Sequence, residues 1–222
     1  MRHAQSPTPE KINKRGHEGT NMGVFDKFMF RPERLNREAM KAAERGDYST
    51  ALDLVDQALC ERAGNPVFLQ NKGFFLAKLG QYDEAIECYE LAYGYDKKNH
   101  ELLAMKGSLL VRKGRYDEAR NAFETAMTKA AHNERIMSQS AIGFYDMGDK
   151  ERAKEVLETI MHSPIMGNYA ETWVYRSKIA YDEGDLAEAH AFAEIALEID
   201  GTNDAARAMI EKVKRDERTT GT

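Results

Sequence analysis

The chain has 222 residues with 32 Lys+Arg against 37 Asp+Glu, a net charge of −5 and a pI near 5.8. That balance disfavours nucleic acid as the main partner, because holding phosphates needs a basic track. No stretch approaches the ~18–20 consecutive apolar residues that cross a bilayer, and no apolar run of the signal-peptide kind follows the first residues, so a soluble, cytoplasmic protein without membrane contact is expected.

Residues 1–22 are polar and hold Pro7, Pro9, Gly16 and Gly19 with almost nothing to bury. They read as a disordered tail, and Met22 is an alternative start. Residues 23–31 differ. Val24, Phe25, Phe28, Met29 and Phe30 form a dense apolar patch. A short turn of helix covering the open N-terminal end of the folded region is the expected role. Docking in this chain's own groove, or in a neighbour's, is the alternative. A membrane-surface anchor fits poorly, since only Lys27 and Arg31 are cationic.

From residue 32 the chain is periodic. Glycines predicted to sit in turns stand at Gly46, Gly80, Gly114, Gly148 and Gly184, spaced 34, 34, 34 and 36 residues apart. A period in this range marks a repeat array. Eleven residues before each glycine stands a large apolar residue (Leu35, Leu69, Leu103, Met137, Trp173), and seven before it a small one (Ala39, Gly73, Gly107, Ala141, Ser177). Five after it comes Ala51, Ala85, Ala119, Ala153 or Ala189; nine after it Val55, Tyr89, Phe123, Leu157 or Ala193; twelve after it Ala58, Ala92, Ala126, Ile160 or Ala196. Small residues at fixed places let two antiparallel helices approach closely.

The units run 32–65, 66–99, 100–133, 134–167 and 170–203, with a two-residue insertion, Asn168-Tyr169, before the fifth. Pro32 and Pro66 suit first helical positions. Asn65, Asn99, Asn133 and Asn203 suit helix N-caps. Asp83-Glu84 and Asp117-Glu118 open second helices, where acid opposes the positive end of the helix dipole. A solvating terminal helix is expected over 204–217, with Ala205, Ala206, Met209, Ile210 and Val213 on one face and fraying from about Arg218.

On these residues, units 32–203 resemble the tetratricopeptide repeat (TPR) family, in its prokaryotic-type standalone form. The resemblance implies an all-α, right-handed α-solenoid of five helix-turn-helix repeats. Two features depart from the family's pattern. Its usual leucine eight before the glycine is polar (Glu38, Lys72, Lys106, Ser140, Arg176), and its usual proline after the second helix is absent (Ala63, Lys97, Ala131, Ile165, Gly201). The ends of the second helices are therefore expected to be less sharply fixed.

No catalytic constellation is present. The six histidines are scattered without metal spacing, and Cys60 and Cys88 lack it too and are expected as reduced thiols near the core. No enzyme activity, metal or cofactor is expected. In the resembled family the first helices line a concave groove that takes a peptide or a partner helix. The register here assigns to it Glu33, Asn36, Met40, Ala43 and Glu44; Val67, Gln70, Phe74, Ala77 and Lys78; Glu101, Ala104, Ser108, Val111 and Arg112; Arg135, Ser138, Ile142, Tyr145 and Asp146; and Glu171, Val174, Lys178, Tyr181 and Asp182. Met40, Phe74, Val111, Ile142, Tyr145, Val174 and Tyr181 would form an apolar stripe, about half of it expected to be packing between helices. Lys78, Arg112 and Arg135 would make the middle positive, and Asp146, Glu171 and Asp182 the C-terminal part acidic.

The carboxylate clamp of the family's chaperone-binding members is incomplete. Asn71 matches, but Asn36, Met40, Glu101 and Met105 stand where its other lysine, asparagine and cationic residues belong. The expected function is a non-catalytic protein-interaction scaffold or adaptor. Self-assembly through residues 23–31 and a regulatory subunit of a separate enzyme are the alternatives. Residues 32–222 carry 26 Lys+Arg against 34 Asp+Glu and residues 1–31 six against three, so RNA binding is disfavoured.

Overall fold

The computed structural model describes residues 31–161 and 169–220; the expectations for residues 1–30 and the Asn168 insertion site lie outside them. Eleven helices succeed one another within the described residues: α1 (Arg31–Glu44), α2 (Tyr48–Glu61), α3 (Pro66–Lys78), α4 (Tyr82–Tyr95), α5 (Glu101–Arg112), α6 (Tyr116–Lys129), α7 (Glu134–Asp146), α8 (Lys150–Met161), α9 (Ala170–Glu183), α10 (Leu186–Ile199) and α11 (Asp204–Thr220). Odd and even helices up to α10 pair as hairpins, and each hairpin stacks on the next. This is the all-α solenoid read from the period. α11 packs on α10 and α9 at the C-terminal end and continues to Thr220, past the expected fraying point.

Turns are made as the spacing requires. The five turn glycines adopt φ between 71° and 87°, a region that a Cβ makes costly. At Gly80 the chain leaves α3, and the Gln81 N–H donates back to the Leu76 carbonyl at 2.9 Å before α4 begins.

Inside each hairpin the residue seven before the glycine meets the residue nine after it. A Cβ added to Gly73 would come 2.7 Å from the Tyr89 ring, and one on Gly107 would come 2.6 Å from the Phe123 ring. Where the partner is smaller, the first position carries a Cβ: Ala39 with Val55, Ala141 with Leu157. The fifth unit pairs Ser177 with Ala193, and the Ser177 hydroxyl donates to the Ala189 carbonyl at 2.5 Å. The Phe123 ring also presses on Gly143 of the next hairpin, so this aromatic joins two units.

Successive hairpins are joined mainly by apolar side chains. Twelve residues before the glycine stand Phe68, Leu102 and Ile136, at 3%, 1% and 1% exposure. The fourth joint is polar. Thr172 occupies the equivalent place and shares a 2.8 Å hydrogen bond with Ser138. Arg176 is buried beside it, with Glu158 at 3.5 Å, Glu188 at 3.9 Å and the Phe192 ring at 5.1 Å. Its Nε and Nη1 have no hydrogen-bond partner among the described residues.

The polar residue eight before the glycine has the same use in three units. Lys72 pairs with Asp56 at 2.7 Å and Lys106 with Glu90 at 2.5 Å, linking a first helix to the second helix before it. Arg176 with Glu158 repeats the pattern, whereas Ser140 breaks it by bonding the Ile136 carbonyl, and Glu124 turns to Arg152 instead.

Three expectations need correction. Asn65, Asn133 and Asn203 do cap helices, accepting from Phe68, Ile136 and Ala206 N–H groups at 3.2, 3.1 and 3.0 Å. Asn99 does not. α5 starts later, at Glu101 after His100, and the Asn99 amide donates sideways to Gln70 at 3.1 Å. Four of the five second helices end in constant register, at Glu61, Tyr95, Lys129 and Ile199, without the proline; α8 is described as far as Met161. Asp96 and Asp200 help to fix the turn by accepting from the N–H groups of Lys98 and Thr202. Cys88 is buried, and burial pushes its thiol pKa up, but Cys60 is exposed.

Gly107→Ala is expected to lower stability by about 1–3 kcal/mol through overpacking against Phe123, read as a lower denaturant midpoint. Phe123→Leu in the same chain should recover part of that loss; a fully additive pair would mean the two residues do not meet. Arg176→Leu is expected to be neutral or stabilising, by up to about 3 kcal/mol, because it removes a buried charge with imperfect partners and leaves Glu158 and Glu188 with half-open side chains.

Candidate partner-binding groove

The first helices α3, α5, α7 and α9 lie side by side and bound a continuous cleft. Its larger part holds 530 Å³ between α5, α7 and α9, lined among others by Met105, Ser108, Val111, Arg112, Gln139, Ile142, Asp146 and Tyr175. A second part of 390 Å³ continues toward α3, where Phe74 and Lys78 join Met105, Ser108, Arg112 and Gln139.

The expected groove residues fall into three groups. Phe74, Ser108, Val111 and Ile142 are half-buried on the cleft wall, with Lys78 and Arg112 exposed beside them. Met40 is 38% exposed on α1. Others are engaged by their neighbours: Asn36 accepts from the Asn71 amide at 2.8 Å, Gln70 bonds Asn99 and approaches the Met105 sulfur at 3.8 Å, and Arg135 pairs with Glu101 at 3.6 Å. Tyr145 donates to Asp182 at 2.9 Å, and Lys178 lies 3.8 Å from the Tyr175 ring centre. A third group does not face the groove. Val174 is 2% exposed and packs with Ala170, Ala196 and Ala206 where the fifth hairpin meets α11. Ala104 is buried as well, whereas Ser138 is buried but still lines the cleft. Tyr181 is taken by α11, its hydroxyl on Asp216 and Lys212 over its ring.

One column was missing from the expected surface. The residue nine before the glycine contributes Met105, Gln139 and Tyr175 to the cleft, and the Gln139 amide reaches back to the Ser108 hydroxyl at 3.1 Å. The signal was available. A helix turns about 100° per residue, so a residue next to the tenth-before column sits at the edge of the same face.

Electrostatically the cleft is uneven. Among the described residues Lys78 and Arg112 form no ion pair; Lys78 only overhangs Phe74, 5.4 Å from the ring centre. At the far end burial, with Asp182 accepting its hydrogen bond, pushes the Tyr145 phenol far up, and burial beside Asp146 pushes Tyr175 up to about 12. Both therefore stay protonated donors at ordinary pH. The Asp182 carboxyl is desolvated, which alone would raise its pKa, but hydrogen bonds from Lys150 and Tyr145 outweigh this and hold it below its usual 3.8.

The profile of the tetratricopeptide repeat matches residues 42–109 and 110–163, more than half of the chain. The chain belongs to the tetratricopeptide repeat family. Solved structures agree on the fold. TTC0263, a TPR protein of Thermus thermophilus, is similar at 19% identity with a TM-score of 0.69, over 82% of this chain and 98% of that one. PilF of Pseudomonas aeruginosa is similar at 16% with a TM-score of 0.67, over 85% and 91%. MamA of Desulfovibrio magneticus gives 16% and 0.60, over 78% and 97%. A search of curated proteins finds no match. Among the described residues no helix of this TPR array is long and apolar enough to cross a membrane.

Because Asp182 has a lowered folded-state pKa, its contribution to stability is complete above the unfolded value and fades as pH falls through the folded one. Lys150→Ala should raise the Asp182 pKa, measured by carboxyl NMR titration, and shift the acid limb of unfolding to higher pH. An unchanged Asp182 titration would show that Lys150 does not hold it.

Proposed function

We propose that this TPR array is a non-catalytic protein-interaction scaffold whose cleft over α3, α5 and α7 receives an amphipathic peptide or helix carrying an acidic side chain. Membership of the TPR family supports protein partners in general. The observation that carries the finer reading is the pair Lys78 and Arg112: cations without an ion pair among the described residues, set beside the half-buried Phe74 and Val111. Other cations that lie between units are matched within the protein, as at Lys113–Asp83, Arg120–Asp149 and Lys154–Glu183, whereas these two stand exposed in the cleft. An unmatched cation over an apolar wall can offer a partner both direction and register. The acidic far end, with Asp146 and Glu171, favours a ligand that is not uniformly acidic.

Panning a random peptide library on the intact protein tests this. Recovered sequences are expected to place Asp or Glu among large apolar residues. Phe74→Glu and Arg112→Glu should each weaken a recovered peptide at least about tenfold, the loss of one central contact. Leu91→Glu, on the opposite face of the array at 54% exposure, should leave it bound. The reverse pattern would place binding outside the cleft.

A further inference from the structure

The open N-terminal face of the array is charged. In units two to five the residue twelve before the turn glycine is buried against the preceding hairpin: Phe68, Leu102, Ile136 and Thr172. In unit one that residue is Arg34, and it is exposed. Five before the glycine, Phe75, Leu109 and Ile179 are likewise buried, whereas unit one has the exposed Lys41. Arg37 and Glu38 complete a surface that water already satisfies. Phenylalanines laid on it would strip water from four charges. Laying the apolar stretch 24–30 on that face would therefore cost desolvation without apolar partners in return, which favours another place for it.

We infer that Val24–Phe30 of one copy of the chain occupies the cleft of a second copy, with Asp26 facing Arg112 and Lys78. This rests on the cleft reading above and names its occupant. The stretch has the required chemistry. Bound as a helix, Phe25, Phe28 and Met29 share a face with Asp26 at its margin. Overall charge agrees, since residues 1–31 carry six Lys+Arg against three Asp+Glu and residues 32–222 carry 26 against 34.

Reach decides between the chain's own cleft and a neighbour's. The 14 residues of α1 span about 20 Å, and two steps between first helices add about 20 Å sideways. From Arg31 to Arg112 is thus on the order of 28 Å. Extended, residues 24–30 span at most ~24 Å, enough for the roughly 22 Å to Lys78 but not for Arg112; as the helix that puts Phe25, Phe28 and Met29 on one face they span about 10 Å and reach neither in the same molecule. A second copy has no such limit, and reciprocal exchange closes at a two-fold dimer.

Sedimentation velocity of the full chain over a concentration series reads this directly. The wild type is expected to move from monomer to dimer. Phe25→Glu with Phe28→Glu should weaken dimerisation at least about tenfold, as should Asp26→Arg or Arg112→Asp singly, and the last two combined should restore much of it. Circular dichroism of each variant should match the wild type, because dimerisation of this kind leaves the helices of each array unchanged and Arg112 is exposed. A wild type that stays monomeric, a dimer indifferent to Phe25 and Phe28, or a charge swap without recovery each overturns the proposal. If the library peptides still bind at Phe74 and Arg112 in any of those cases, the cleft reading stands and only the occupant is wrong. If neither peptides nor the chain respond to those two residues, the cleft reading has failed as well.

Discussion

The contact between a small residue on a first helix and the side chain facing it on the second sets the spacing of each hairpin. Gly107 beneath Phe123 is its most constrained form. Removing one Cβ lets a full aromatic ring lie between two helices, and that ring then reaches Gly143 of the next unit. The same ring therefore fixes the distance within one hairpin and the stacking of the next upon it. The groove inherits its shape from this, because first helices whose backs are held at fixed distance present their fronts at fixed distance. Val111 and Ile142 come to line one cleft as a consequence of packing on the far side of their helices.

Packing of this kind was legible in the sequence because it repeats. Period, turn glycines, small-residue column and three of four asparagine caps all derive from local rules applied several times, so each unit checks the others. Features that occur once were not legible. Asn99 has the cap's position, yet its amide finds Gln70 of the preceding unit, a contact that no within-unit rule contains. Cys60 and Cys88 look alike on paper, and neighbouring side chains bury only one. Val174 shares its register with Ala104 and Ser138, which are buried too, and with Gln70, which is only half-buried and bonds Asn99; the column has no single fate. The groove was half legible for the same reason. Register identifies a helix face, whereas the availability of a side chain on it depends on whether the next unit holds a partner, as Glu101 does for Arg135.

The joints are not equivalent. Three rest on Phe68, Leu102 and Ile136, while the fourth substitutes Thr172 and the buried Arg176. Apolar burial tolerates small sliding because it has no direction; the Ser138–Thr172 hydrogen bond and the Arg176 contacts have one. The fourth joint thus fixes orientation more than it adds adhesion: only Ile179 of the fifth unit is a buried member of the core that runs through units 2–4, with the half-buried Tyr175 packed against it, and most of the fifth unit's apolar contacts are shared with α11. This places the acidic end of the cleft, with Asp146 on one side of the joint and Glu171 on the other, where the array's geometry depends most on polar contacts.

A repeat array repeats its stabilising contacts and holds its specificity in the exceptions. Ion pairs between units recur along the chain, so their charges carry little information about a partner: Lys72 and Lys106 answer Asp56 and Glu90 in the same geometry. Arg112 is different. Its register equivalents are Glu44, Lys78, Asp146 and Asp182, so the column changes sign along the groove, and Asp182 at its end is already held by Lys150 and Tyr145. Such a column contributes nothing uniform to packing, and a reversal of sign across neighbouring positions is what a surface needs to distinguish one orientation of a bound segment from the other. Charge that varies where the fold repeats therefore points to the partner, and charge that repeats with the fold points to the fold.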